Sequence, residues 1–205
     1  MAEDVCVLGW TCLVFFMAFL SVGDMSAEQQ LELKLVTVPL SLDDNYYFQL
    51  VAPEDIGYTY KMRAARNFGV QLNTTYLNID LIPVEPFDAC TPVENSYMFR
   101  ASAVALAERG GCSFLTKTLH AQDAGAVAVI IADYDKENIQ NMVDMIQDET
   151  ERAAGIPAFF LMGKDGYMIK KSLDENYLPS ALINIPVNVT GLPLSRINLP
   201  PWTIW

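Results

Sequence analysis

The 205-residue chain can build one substantial hydrophobic core and, once its ends are set aside, is too short for two. Apolar residues at 52% against charged residues at 19% mark a globular chain and exclude a disordered one. A formal net charge of −12 speaks against binding nucleic acid or an anionic membrane by charge, since both need clustered Lys and Arg, and suits a soluble exported protein.

Val5 to Val22 is almost wholly apolar and ends in the small residues Ser21-Val22-Gly23. Residues 1–23 therefore read as a secretory signal peptide, with cleavage after Gly23. Glu3 and Asp4 stand where such a segment usually carries Lys or Arg, and the run nears spanning length, so an uncleaved anchor is the alternative reading. Cleavage would take the net charge to −12 + 2 = −10. Residues 24–45 form an N-terminal extension in which Leu31, Leu33 and Leu35 alternate with Glu32 and Lys34, the pattern of an edge strand. Tyr46 to Val51 is a stronger strand, rich in β-formers. Tyr58 to Arg66 mixes aromatic and basic residues; a nucleic-acid stacking platform does so too, but a solvated strand face is the expectation. Asn73-Thr74-Thr75 is a glycosylation sequon in polar surroundings, and Leu77 to Val84 alternates as a strand. Pro83 and Pro86 bound the loop that delivers Cys90.

The chain is organised around Ala103 to Asp133. Ala103 to Ala107 is a short apolar run suited to a strand buried on both faces. Glu108-Arg109-Gly110-Gly111 turns, and Ser113 to Ala124 forms about three turns of helix with Ser113 as N-cap. Thr116 stands where a full capping box would have Glu or Gln. Gly125 suits the residue after the helix end, and Val127 to Ile131 is a second buried strand. Strand, turn, helix and strand in about 30 residues make a βαβ unit with a right-handed crossover.

An acidic loop follows with Asp133, Asp135, Glu137, Asp144, Asp148, Glu149 and Glu151. Its first three imitate a calcium loop, but Asn138 replaces the needed glycine and Asp144 the closing glutamate, so a solvated loop is expected. Ile156 to Met162 reads as a third buried strand. Asp165 is expected to cap a helix from Gly166 to about Glu175, with Met168, Ile169 and Leu173 toward the core. Leu182 to Val189 is a last strand, and Asn188-Val189-Thr190 a second sequon. The tail LPLSRINLPPWTIW, with three prolines and two tryptophans, is expected to lie extended and tied down by its aromatics.

Several of these motifs resemble one family. ERGGCSF at Glu108 to Phe114 with AGAVAVIIAD after it resembles the central signature of the protease-associated (PA) domain. IPAFFL at Ile156 to Leu161 followed by Lys164-Asp165-Gly166 resembles that domain's second signature, and Pro53 to Gly69 with LIPVEPFDAC at Leu81 to Cys90 its entry. The resemblance covers most of residues 46–190, with its core motifs in 81–178, and leaves 191–205 as a tail. It implies an α/β fold of the swivelling β/β/α type, an open β-barrel or sheet with flanking helices. It also implies a domain without catalytic residues that serves substrate access, sorting or protein contact.

The residues themselves offer little chemistry. With Cys6 and Cys12 in the leader, the mature chain keeps Cys90 and Cys112, an even pair that in an oxidising compartment is most simply one disulfide. The rival reading is a Cys112 nucleophile, its thiolate favoured at a helix N-terminus. His120 is the sole histidine: its spacing from the cysteines matches no zinc pattern, no GxSxG elbow accompanies it, and an exposed helix position is expected. Gly110-Gly111 before a helix invites an anion, yet no phosphate-loop motif is present. The expectation is a secreted, non-enzymatic glycoprotein without cofactor or metal. It would carry sugars on Asn73 and Asn188 and bind a protein or peptide partner through a surface holding Arg109, Ser113 and the residues after Cys90. The alternatives are a luminal cargo-binding protein resembling vacuolar sorting receptor ectodomains, and a hydrolase using the acidic loop or Cys112.

Overall fold

The computed structural model describes residues 45–203. The proposed signal segment, the Leu31–Leu35 strand and Trp205 lie outside them. Seven strands, β1 (Asn45–Ala52), β2 (Thr59–Ala64), β3 (Tyr76–Pro83), β4 (Ala103–Glu108), β5 (Ala128–Ala132), β6 (Ala158–Leu161) and β7 (Ala181–Ile185), form one barrel. Its order is β1-β2-β6-β5-β4-β3-β7. Strands β3, β4, β5 and β6 run parallel to one another. The remaining pairings, β1 with β2 and β7, β2 with β6, and β3 with β7, are antiparallel. The mixed α/β class holds, and the barrel is closed rather than open, because β1 pairs on both its edges.

Parallel neighbours need crossovers, and these bury the outer face of the sheet as well as the inner one. Helix α1 (Phe114–Asp123) joins β4 to β5. Strands β4 and β5 show the result: Val104, Leu106 and Ile130 belong to one core cluster, and Ala105, Ala107, Val129 and Ile131 to a second cluster shared with Leu115 and Ala121 of α1. Period-two alternation is thus present, but invisible as an apolar/polar pattern because both faces are dry. The crossover from β5 to β6 contains no helix. The acidic loop takes its place, sealing the outer cluster with Met145 and Ala154.

Helix α2 (Gly163–Glu175) packs Ile169 and Leu173 into the inner cluster, while Met168 is only half-buried. It starts three residues earlier than expected, and Asp165 is not its cap: Met162 holds that position, without a side-chain bond. Close approach requires glycine at the helix start and within its first turn. A Cβ on Gly163 would stand 1.9 Å from the Asp135 carbonyl oxygen, and one on Gly166 2.2 Å from the Ala132 Cβ. Two other expectations are corrected. The stretch from Tyr58 to Arg66 is solvated on one side alone: Lys61 and Arg63 are half-buried and Arg66 exposed, but Tyr60 and Met62 are fully buried and the Tyr60 hydroxyl donates to the Ile56 carbonyl at 2.9 Å. The last strand ends at Ile185, where Pro186 cannot donate to a ladder.

Candidate functional site

The loop between β4 and α1 is built as its residue types suggest. The Ser113 side chain accepts from the Thr116 amide at 3.1 Å, capping α1. The far end closes with Gly125 N–H to Gln122 O and Ala126 N–H to Ala121 O, the paired bonds of a Schellman stop. At the near end Gly110 and Gly111 take φ of 118° and 77°, and a Cβ on Gly111 would fall 2.9 Å from the Cys90 sulfur. Only glycine lets the loop lie across that sulfur. Cys90 and Cys112 are joined as a disulfide with Cα atoms 5.6 Å apart, which removes Cys112 as a free nucleophile in this state.

The side chain that ties this region together is Lys117. It is fully buried. Its ammonium donates to the carbonyls of Asp88 and Gly110 and lies 3.3 Å from the Cys90 sulfur. Burial lowers its pKa, against the opposing pull of Asp88 and Glu108. A signal existed: position 117 lies four residues before buried Ala121, on the core side of the helix. His120 adds a clamp of the same kind and is not an exposed helix residue, for it is half-buried with Nδ1 2.8 Å from the Ala89 carbonyl oxygen.

Arg109 and Ser113 flank the disulfide, and both are engaged. The Arg109 guanidinium bonds to Asp133 at 3.1 Å and stacks over Tyr134 at 5.3 Å, while buried Asp133 accepts from Asn138 through its other oxygen. The Ser113 hydroxyl donates to Asp148. That bond, a second from Thr150 and the nearby Arg152 hold the Asp148 carboxyl below the usual range. The acidic loop is therefore not simply solvated: Asp144 pairs with Arg63 at 2.9 Å and Arg66 at 3.2 Å, and Asp148 with Arg152 at 2.7 Å. Among the described residues, no three His, Cys, Asp or Glu side chains are grouped to hold a metal ion.

Beside this loop, at the carboxyl ends of β4 and β5, a groove of about 260 Å³ runs along α2. Phe87, Glu108, Asp133, Lys136, Tyr167 and Lys170 are among its lining residues. Lys136 sits over the Tyr167 ring at 5.0 Å and Lys170 over Phe87 at 5.9 Å, so its cations rest on aromatic faces. Crevices at the carboxyl ends of parallel strands are common ligand positions. Asn73 and Asn188 are both exposed, Asn73 between β2 and β3 and Asn188 beyond β7.

The sequence model of the PA domain matches residues 77–169. The chain is 39% identical over 176 residues to "PRADC1-like protein" of Drosophila melanogaster, covering 83% of this chain and 89% of that one. It is 33% identical over 106 residues to "Signal peptide peptidase-like 2" of Arabidopsis thaliana, a match spanning 52% of this chain but 19% of that protein. Among solved structures, an aminopeptidase from Aneurinibacillus sp. strain AM-1 superposes with a TM-score of 0.50 at 17% identity, over 69% of this chain and 30% of the enzyme. That likeness concerns the fold alone.

Proposed function

Because this chain belongs to the PA domain family, we propose that it acts as a secreted, non-catalytic glycoprotein module that holds a protein or peptide partner. One observation carries the reading: the side chains that could do chemistry at the family signature are each engaged in holding backbone or one another. Cys112 is in a disulfide, His120 faces a carbonyl, Ser113 caps a helix, and Asp133 is held between Arg109 and Asn138. Such engagement makes a rigid frame, and a rigid frame loses less entropy when it binds. The contact surface is the plate of Arg109 stacked on Tyr134, a residue 59% exposed, continued by Ser113 and by exposed Thr91 and Pro92 after Cys90. Sugars on Asn73 and Asn188 would be carried away from the barrel's core, Asn73 on the loop entering β3 and Asn188 beyond β7.

The test uses the glycosylated full chain immobilised in extracellular fluid, alongside a Tyr134→Ser variant and a peptide-library hydrolysis assay. Saturable retention of a ligand by the native chain, its loss in the variant, and no cleavage are expected. Peptide hydrolysis that disappears with Asp133→Asn would replace the module by an enzyme. Glycosidase treatment should give two mobility steps, of which Thr190→Ala removes one.

A further inference from the structure

The ammonium of Lys117 is fully buried, yet its direct partners are two carbonyl oxygens and a sulfur, none of which carries charge. A buried cation whose nearby carboxylates, Asp88 and Glu108, do not bond it directly is a costly arrangement. The sulfur it touches belongs to the one covalent bond in this region that can release an anion. We propose that the Cys90–Cys112 bond is a thiol-exchange site of fixed direction: a small thiol of the glutathione class attacks Sγ of Cys112, and Cys90 leaves as a thiolate held by Lys117.

The geometry gives the direction. Cys90 Sγ lies 3.3 Å from Lys117 Nζ; the ammonium also takes up the two carbonyl oxygens near the sulfur, those of Gly110 at 3.4 Å and Asp88 at 3.6 Å, which would otherwise oppose a thiolate, and Gly111 lies across it. In thiol–disulfide exchange the sulfur whose thiolate is better stabilised departs more readily. Cys112 stands before the N-cap of α1, where the helix dipole also favours a thiolate. That dipole amounts to about half a charge facing solvent, whereas Lys117 is a full charge in dry contact. Three other titratable groups face the site. The Asp88 carboxylate accepts from the Cys90 amide at 3.0 Å and does not bond the sulfur, Glu108 acts on Lys117, and His120 is turned to the Ala89 carbonyl.

The step balances without a further reagent. The attacking thiolate forms a bond to Cys112 Sγ, the Cys112–Cys90 bond breaks, and its electron pair goes to Cys90 Sγ while Lys117 keeps its proton. A second small thiol attacks the outer sulfur of the mixed disulfide and releases Cys112. The protein gains two electrons, and the two small thiols become their disulfide. The arm before Cys90 stays docked after reduction, through the bond from Lys117 to the Asp88 carbonyl and the contact of His120 with Ala89.

The experiment treats the native full chain with limiting glutathione, quenches with acid, alkylates and maps the peptides. Glutathione on Cys112 with the alkyl group on Cys90 is expected. Glutathione on Cys90, or equally on both, overturns the proposal. In glutathione redox buffers the Lys117→Met variant should need about tenfold more reductant for half-reduction, the loss of a charge-assisted bond to the thiolate. Equal titration of the two proteins overturns the role of Lys117. Should that variant not fold, the Cys112→Ser chain decides through the pH dependence of Cys90 alkylation. A midpoint clearly below the free-cysteine value of about 8.5 supports the proposal, and one at or above it refutes it.

Discussion

Two segments outside the barrel are docked onto its two helices, and they are held by different physics. The arm leading to Cys90 lies on α1, secured by a covalent bond, a buried ammonium shared among backbone carbonyls, and an imidazole. The tail lies against α2 and the start of β2. Its Trp202 indole donates to Asp165 at 2.7 Å and packs edge-on to Tyr58 at 5.9 Å, and the Asn198 oxygen accepts from the Thr59 amide at 2.7 Å. The arm's strongest fastening is a covalent bond, which carries no titrating group. The tail rests on a carboxyl that is 2% exposed, whose pKa burial raises to about 6 despite the bond from Trp202. One junction is covalent, and the other rests on a buried carboxyl.

Removing the covalent fastening should have the largest effect. Cys90→Ser with Cys112→Ser opens a loop of 22 residues and should cost about 2–5 kcal/mol by urea unfolding. A loss under about 1 kcal/mol would mean that Lys117 and His120 suffice and the contrast between the junctions is weaker than drawn.

The tail junction is probed by pH. Asp165 binds its proton more tightly folded than unfolded, so its contribution to stability is fully present below about pH 4 and is lost as pH rises through about 6. A displacement from 3.8 to about 6 corresponds to about 3 kcal/mol. Asp165→Asn should abolish that fall, matching the parent near pH 3.5 and exceeding it at pH 7. Parallel curves for the two proteins would show that Asp165 ionises freely and that the tail is not pH-sensitive.

Smaller effects sharpen the surface of the fixed junction. Arg109→Ala should cost about 1–2 kcal/mol, because it leaves buried Asp133 with Asn138 as its side-chain partner. A fully folded variant that no longer retains the ligand would assign Arg109 to contact. Loss of the fold would make it a structural clamp. Ser113→Ala should cost about 1 kcal/mol as a lost cap, and an NMR titration should show the Asp148 carboxyl returning toward its ordinary range. An unmoved Asp148 would place the cause with Thr150 and Arg152.

Local chemistry was legible without coordinates: the βαβ unit, the Ser113 cap, the Gly125 stop, the disulfide partners and the docking of the tail by an aromatic. Each depends on neighbours in the chain, or on a pairing with no competitor. What only the tertiary structure decided are the contacts made across long separations. Lys117 looks like a surface lysine until Asp88 and Gly110 close over it. Asp165 looks like a cap until Trp202, 37 residues later, takes its oxygen. Tyr60 is buried in an inner cluster that also draws on Phe159, Ile169 and Ile183, far along the chain. Barrel closure likewise depends on β1 meeting β7, which no run of consecutive residues encodes. A polar side chain's fate is set by which backbone groups surround it after folding, and that information is distributed over the whole chain.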